Sequence, residues 1–554
     1  MSDAELTVWQ RIRRYAVPPR MIAECTDRRL AGDWRGVCAA GRIDTDIDLA
    51  AVGRAHGAEV AERVEAELLD FAPDLLRWHL PRALGGRTSL ATGLTFTLAP
   101  DLDRVGQDTV ALQVELPKTV DGSQRLRLTV AALGKAPGPE LPGCLWRGRE
   151  ASGLRQAYGG DGQRLPFLTP DGAPVPFAGF ATAEGEGAPA RAERSAAQLA
   201  AGRLAQAWRE AGLELDETLP AARYSQYQVS LDQVLGQRLH LVALAPAVRG
   251  LARRYAAEGV TLNADWRLRF LFTPDGDTVR VRMLGDERRS ELPALAEPLY
   301  RVPPDLELLY RGLIAPADLH PLVRAALFPD APGGVAAARG PAFAPVRVRC
   351  RGQWHRIDAT GGRLVPLDHT PEEVQREQTL RALGGKVAGC FAARQGWTDG
   401  STRLPRALRQ QRRELMQTIL HGDTDTLLEL LDAGLDPYVR DGRGSTLLHL
   451  LRCLDHRVLL PRLLAAGLPV DVRDHRGRTP LHVAVGWVGS PALVQALLRA
   501  GADPKAEDDN GTSPADLVEY KGFEYYEQES GEGHGDLKLI SQYLEEHRVN
   551  GENA

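Results

Sequence analysis

Between Asp441 and Gly501 the chain repeats itself, and no other stretch restricts the possible folds as strongly. Asp441-Gly-Arg-Gly-Ser-Thr446-Leu-Leu448-His449 returns as Asp474-His-Arg-Gly-Arg-Thr479-Pro480-Leu481-His482, with threonines and histidines both 33 residues apart. The leucine-rich runs that end at Gly434, Gly467 and Gly501 keep this phase, at intervals of 33 and 34. A period of this size means stacked supersecondary units, since one such unit cannot bury its apolar face alone. Thr446 and Thr479 are placed to cap helices. Pro480, at a first helical position, lacks only a donor that a helix start leaves orphaned anyway. Leu448 and Leu481 are expected between helices. The glycines follow the leucine runs, where a left-handed helix stop favours Gly.

The unit resembles the ankyrin repeat, a β-turn finger followed by two antiparallel helices. Asp508-Asp-Asn-Gly511-Thr-Ser513-Pro514-Ala515-Asp516 reads as a fourth, worn copy without the histidine, and Arg413-Glu-Leu415 lacks the Thr-Pro-Leu-His signature. Both stand at the ends, where capping repeats are atypical. The resemblance covers about the last quarter of the chain and implies an α-solenoid of about four repeats over residues 404–550. It gives Thr446, Leu448, His449, Gly467, Thr479, Pro480, Leu481, His482 and Gly501 structural roles, so the two histidines are hydrogen-bonding residues of the repeat and not a metal pair. It also implies a concave protein-binding surface, here carrying Tyr438, Arg440, Arg443, Arg473, His475, Arg476 and Trp487. The arginines favour an acidic partner, or an acidic segment of this same chain.

A chain of 554 residues is expected to form two to four domains. A net charge of −5 gives no global pull toward nucleic acid or anionic membrane. The six cysteines, Cys25, Cys38, Cys144, Cys350, Cys390 and Cys453, are widely spaced without a Cys-x-x-Cys pair. That usage fits a reducing cytoplasm and argues against a disulfide framework or a zinc ribbon. The first residues show no secretory signal, and the most apolar run, Leu239 to Leu251, is too short to span a bilayer and reads as a buried helix.

Residues 1–185 read as an α+β region: amphipathic helices to about residue 72, then strands Leu94–Leu98, Val110–Leu116 and Leu126–Val130 with a period of two. Residues 181–190, rich in Ala, Gly and Glu, read as a mobile linker. A second α+β region follows at 190–400. It opens with one long helix over 191–211 and continues with a helix over 239–257, a hairpin turning at Thr273-Pro-Asp-Gly276, and a small meander over 346–366. Thr370-Pro371-Glu372-Glu373 then starts a helix.

Residues 1–400 carry no decisive chemical motif. Gly384-Gly385-Lys386 lacks the first glycine and the Ser/Thr of a phosphate loop and follows a helix, so it reads as a helix stop. Gly185-Glu-Gly187 has no preceding strand for a dinucleotide site. No nucleophile elbow, His-Glu-x-x-His or Cys–His cluster is visible, and Trp78-His79 and Trp354-His355 read as packing pairs ahead of catalytic ones. Neither metal nor cofactor is expected. The arginine-rich stretch from Arg394 to Arg413 lacks interleaved aromatics and reads as a solvated helix ahead of a nucleic-acid contact. The acidic insertion over residues 522–535, with Phe523, Tyr525 and Tyr526, is a possible partner loop or a disordered one. The sequence therefore favours a cytoplasmic interaction protein that docks another protein, with no membrane partner. The competing reading is an enzyme in residues 1–400 for which the array is a targeting or regulatory module.

Overall fold

A computed structural model describes residues 1–120, 122–216, 218, 239–263, 269–284, 291–330, 343–359, 364–385, 388–399, 404–487, 490–518 and 538–546. They fall into two compact units, one of residues 1–117 and 125–338, the other of residues 118–124 and 339–554. Residues 343–399, which the sequence reading joined to the second α+β region, lie in the unit that holds the repeats.

The first unit is a mixed helix-and-sheet structure that uses one plan twice. In its first half, helix Trp34–Ala40 leads into β1 (Ile43–Thr45). β1 lies parallel to β4 (Leu126–Ala132), the second strand of a hairpin with β3 (Val110–Glu115). With β2 (Thr95–Leu98) and β5 (Glu140–Leu141), the sheet order is β1-β4-β3-β2-β5. In its second half, helix Leu204–Glu210 leads into β6 (Leu213–Leu215), parallel to β9 (Thr278–Leu284) of a hairpin with β8 (Arg269–Asp275). With β7 (Val260–Asn263) that sheet runs β6-β9-β8-β7.

Backbone bonds outside the strands repeat as well. Ala72 N–H donates to the Trp146 carbonyl (2.8 Å) as His240 N–H does to that of Tyr300 (2.7 Å). Thr97 N–H donates to Pro139 (3.0 Å) as Thr261 N–H does to Pro293 (2.9 Å). The sequence trace is faint: Gly32 and Ile43 recur as Gly202 and Leu213, both 170 positions on.

Two local expectations are corrected. The long helix over 191–211 is broken at Ala201-Gly202 into Ala188–Ala200 and Leu204–Glu210. The linker over 181–190 is tied down: Arg194 Nη1 donates to the carbonyls of Ala183 and Gly185, both at 2.8 Å, and the helix already begins at Ala188. A long cationic side chain that finds two carbonyls offsets the entropy such a segment would otherwise keep.

The core of this unit encloses a polar knot. Asp305, fully buried at the start of helix Pro304–Tyr310, accepts from Arg13 Nε (2.5 Å) and Nη2 (3.1 Å), Trp78 Nε1 (2.9 Å) and the Tyr158 hydroxyl (2.8 Å). His79 meets the Tyr158 hydroxyl at 3.3 Å and the Leu75 carbonyl at 2.9 Å. Burial, with the Arg13 charge, pushes the His79 pKa down to about 3.

In the second unit, β10 (Val346–Cys350), β11 (Gln353–Asp358) and β12 (Val365–Pro366) form an antiparallel meander, followed by helices Pro371–Ala382 and Gly389–Thr398. Beyond it, helices Arg406–Leu420, Thr424–Asp432, His456–Ala465, Pro480–Gly486 and Pro491–Arg499 share one apolar core, which includes Leu415, Leu427, Leu448, Leu463, Leu481 and Leu497. No helix among the described residues is long and apolar enough to cross a membrane.

Candidate functional site

Three fingers project from the repeats, each built on an aspartate. Asp441 Oδ1 accepts from the N–H of Arg443 (2.7 Å) and Ser445 (2.8 Å), and Asp474 Oδ1 from Arg476 (2.8 Å) and Arg478 (3.0 Å). Asp508 Oδ1 accepts from Asn510 (2.9 Å) and Thr512 (3.1 Å). A short carboxylate that takes two nearby N–H groups replaces the hydrogen bonds a tight turn cannot make for itself.

After each of the first two fingers a Thr–His pair locks the chain. Thr479 caps helix Pro480–Gly486, accepting from His482 N–H, while His482 Nδ1 accepts from Thr479 N–H at 3.1 Å. Because Nδ1 accepts, the ring proton sits on Nε2, which donates to the Thr512 carbonyl at 3.0 Å. Thr446 and His449 repeat the histidine half of the arrangement, with His449 Nδ1 3.1 Å from Thr446 N and its Nε2 2.9 Å from the Arg478 carbonyl. The helix expected after Thr446 is instead a run of turns and the 3-10 helix Leu451–Cys453, so Thr446 caps no α-helix. Each histidine thus ties its own repeat to the next finger, and burial holds the His449 pKa down at about 4 and lowers that of His482. Leu448 and Leu481 are fully buried, Pro480 occupies the first helical turn, and Gly467 and Gly501 end their helices at φ of +91° and +92°.

The seven proposed surface residues separate into two kinds. Arg440 Nη1 donates to the carbonyls of Gly444 (2.6 Å) and Arg473 (2.8 Å), and Arg473 Nη1 to those of Gly477 (2.9 Å) and Glu507 (2.5 Å). These two guanidinium groups clamp one finger to the next. Trp487 is half-buried, and its carbonyl lies 3.4 Å from the Thr119 hydroxyl of the same unit. Arg443, His475 and Arg476 are exposed at the tips, where His475 N–H donates to the Arg443 carbonyl (3.1 Å) and Asp509 N–H to the Arg476 carbonyl (3.0 Å). Tyr438 is exposed below them. Backbone pairing between neighbouring tips therefore sets the spacing of the exposed cations.

A second constellation escaped the sequence reading, which found no Cys–His cluster. Cys350, His355, His369 and Cys390 bring four ligand atoms within 4.8 Å of one another. Their separations of 5, 14 and 21 positions match no compact metal motif, so only the fold unites them. The one available signal was that a cysteine and a histidine lie within the predicted meander and a second histidine follows it three residues on. Trp354 is 63% exposed and His355 joins this cluster, so the two do not form the packing pair expected from the sequence.

The insertion expected over 522–535 and Lys386 of the Gly-Gly-Lys stretch lie outside the described residues. No curated protein matches the chain. A family model described as ankyrin repeats (3 copies) matches residues 415–508, the stretch that holds the first two Asp-turn fingers, the Thr–His locks and the glycine helix stops. The C-terminal part of this chain carries three ankyrin repeats.

Proposed function

We propose that this protein is an interaction protein of the reducing cytoplasm, whose array docks an acidic segment of another protein on its finger tips. Ankyrin repeats are in general protein-interaction modules. The observation that supports the finer reading is the regular placing of cations at the finger tips. Arg443 and Arg476 are exposed one repeat apart beside exposed His475, and Arg440 and Arg473 bridge each finger to the next. Guanidinium groups held at fixed spacing match carboxylates through paired N–H donors and also steer an acidic partner toward the site. In this reading the array has about four repeats. The fourth opens at Asp508, is capped by Ser513 accepting from Asp516 N–H (3.3 Å), and contributes Ile540 and Leu544 to the core.

The competing enzyme reading gains nothing from Trp78-His79. Both side chains are committed inside the polar knot, with His79 held neutral. A photoreactive amino acid at His475 of the full chain is expected to crosslink acidic peptides of another protein, whereas the same probe at exposed Glu429, on helix Thr424–Asp432, is not. Equal crosslinking from both positions would remove the finger tips as the docking face.

A further inference from the structure

We propose that Cys350, His355, His369 and Cys390 bind one zinc ion in a closed, four-ligand site that staples the meander to the two helices following it. Each ligand is delivered by a separate local rule. Cys350 is the last residue of β10, before the two-residue turn Arg351-Gly352, where both φ angles are positive (+50° and +89°). A turn of that hand matches strand twist and reverses the chain tightly. Val348 pairs with His355 across the hairpin and Cys350 with Gln353, which puts Cys350 and His355 on one face as diagonal neighbours.

His369 precedes helix Pro371–Ala382. Glu373, in the first turn of that helix, accepts from Thr370 N–H at 3.2 Å and lies 3.2 Å from His369 Nδ1. That carboxylate holds the ring proton on Nδ1 and leaves the Nε2 lone pair facing the cluster, the usual outer-shell support of a metal-bound imidazole. Cys390 comes from the first turn of helix Gly389–Thr398. The approach depends on Gly389, at φ +59°: a Cβ there would lie 2.8 Å from the Cys350 Cα and collide with its side chain. Any other residue would push the two cysteines apart.

Both sulfurs are buried, and His355 Nδ1 lies 2.8 Å from His369 Nε2. Bonds of ~2.3 Å to sulfur and ~2.0 Å to nitrogen place tetrahedral ligands roughly 3.3–3.8 Å apart, so side-chain rotations of about 1 Å close the cluster on an ion. Two thiolates and two imidazoles select zinc over magnesium or calcium, and four protein ligands leave no open position for substrate, so the role is structural. Binding releases one proton from each thiol. His355 moves its remaining ring proton from Nδ1 to Nε2, and two negative sulfurs balance the dication. Among the described residues of 343–399, Val346, Val348, Ile357, Leu364 and Trp397 already share the apolar core of the repeats, so the ion adds a local cross-link between the meander and the two helices after it.

The test uses the full chain, expressed with added zinc and purified without chelator. Elemental analysis should find about one zinc per chain, lost from Cys350→Ser/Cys390→Ser and kept in His482→Ala. Glu373→Gln keeps all four ligands and should weaken retention against a competing chelator by ~10–100-fold. This variant keeps the test valid should the double cysteine variant not fold. Replacing zinc by cobalt(II) in the wild type should give thiolate-to-metal charge transfer and tetrahedral d–d absorption. Protein that takes up no Zn²⁺ after reconstitution, a Cys350–Cys390 disulfide in peptide maps, or a cobalt spectrum without thiolate bands would each overturn the site.

Discussion

Asp305→Ala is expected to destabilise the first unit by about 3–5 kcal/mol, because it removes one partner of a buried ion pair and leaves the other unpaired. Arg13 and Asp305 are both buried, and the carboxylate also takes the Trp78 indole N–H and the Tyr158 hydroxyl. Alanine would take the shared acceptor from four donor atoms on three side chains in a buried place, and an unmet buried polar group costs about 1–3 kcal/mol on its own. The Arg13 guanidinium has a second acceptor, the Trp78 carbonyl at 2.7 Å, and stacks 4.3 Å from the Trp78 ring. Those contacts hold the cation in place, so it cannot swing out to water when its counter-ion is gone. Asp305→Asn should cost less, since an amide oxygen still accepts. Urea melts followed by tryptophan emission check this. A loss for alanine below about 1 kcal/mol, within the range of surface changes, would mean that the knot is solvated.

Acid should loosen the repeats well before it protonates ordinary carboxylates. His449 is neutral in the folded chain with a pKa near 4 because of burial, against an unfolded value of about 6.5. The unfolded chain therefore binds the extra proton first, and stability rises with pH across that window. The stabilisation is fully present above about pH 6.5 and falls as pH drops toward 4. It changes by up to 1.4 kcal/mol per unit, or about 3 kcal/mol for this one residue. His482 is shifted in the same direction, again mainly by burial, and adds to the slope. Hydrogen-exchange protection of helix Pro480–Gly486, corrected for intrinsic rates, should fall between about pH 6.5 and 4.5 in the wild type. It should fall less steeply in His449→Gln. Equal slopes would show that protonation of His449 is not what opens the array.

The repeats were legible because their signals are local and recur. Threonine cap, buried leucine, histidine and glycine stop return at one spacing, so each copy supports the other. The roles of the surface arginines depend on contacts between repeats. Arg440 and Arg443 look alike in sequence, and only the position of the next finger's carbonyl decides that Arg440 bridges while Arg443 is exposed. The doubled plan of the first unit was nearly invisible. Parallel pairing of β1 with β4 joins residues more than eighty positions apart, and backbone pairing places few demands on side-chain identity. The Cys–His cluster was hidden for a related reason, since its ligands come from a hairpin end, a strand, the residue before a helix cap and a helix start, and the glycine that lets them meet is not itself a ligand.

Docking through the exposed finger cations is tested by comparing the proteins retained by full-length wild type and by Arg443→Glu/Arg476→Glu from the same native extract. The reversed chain should lose the retained proteins to background while its melt stays within about 0.5 kcal/mol of wild type. The wild-type complexes should weaken as added salt brings the Debye length below ~8 Å. Retention of the same proteins by the reversed chain, at the same salt, would contradict the account.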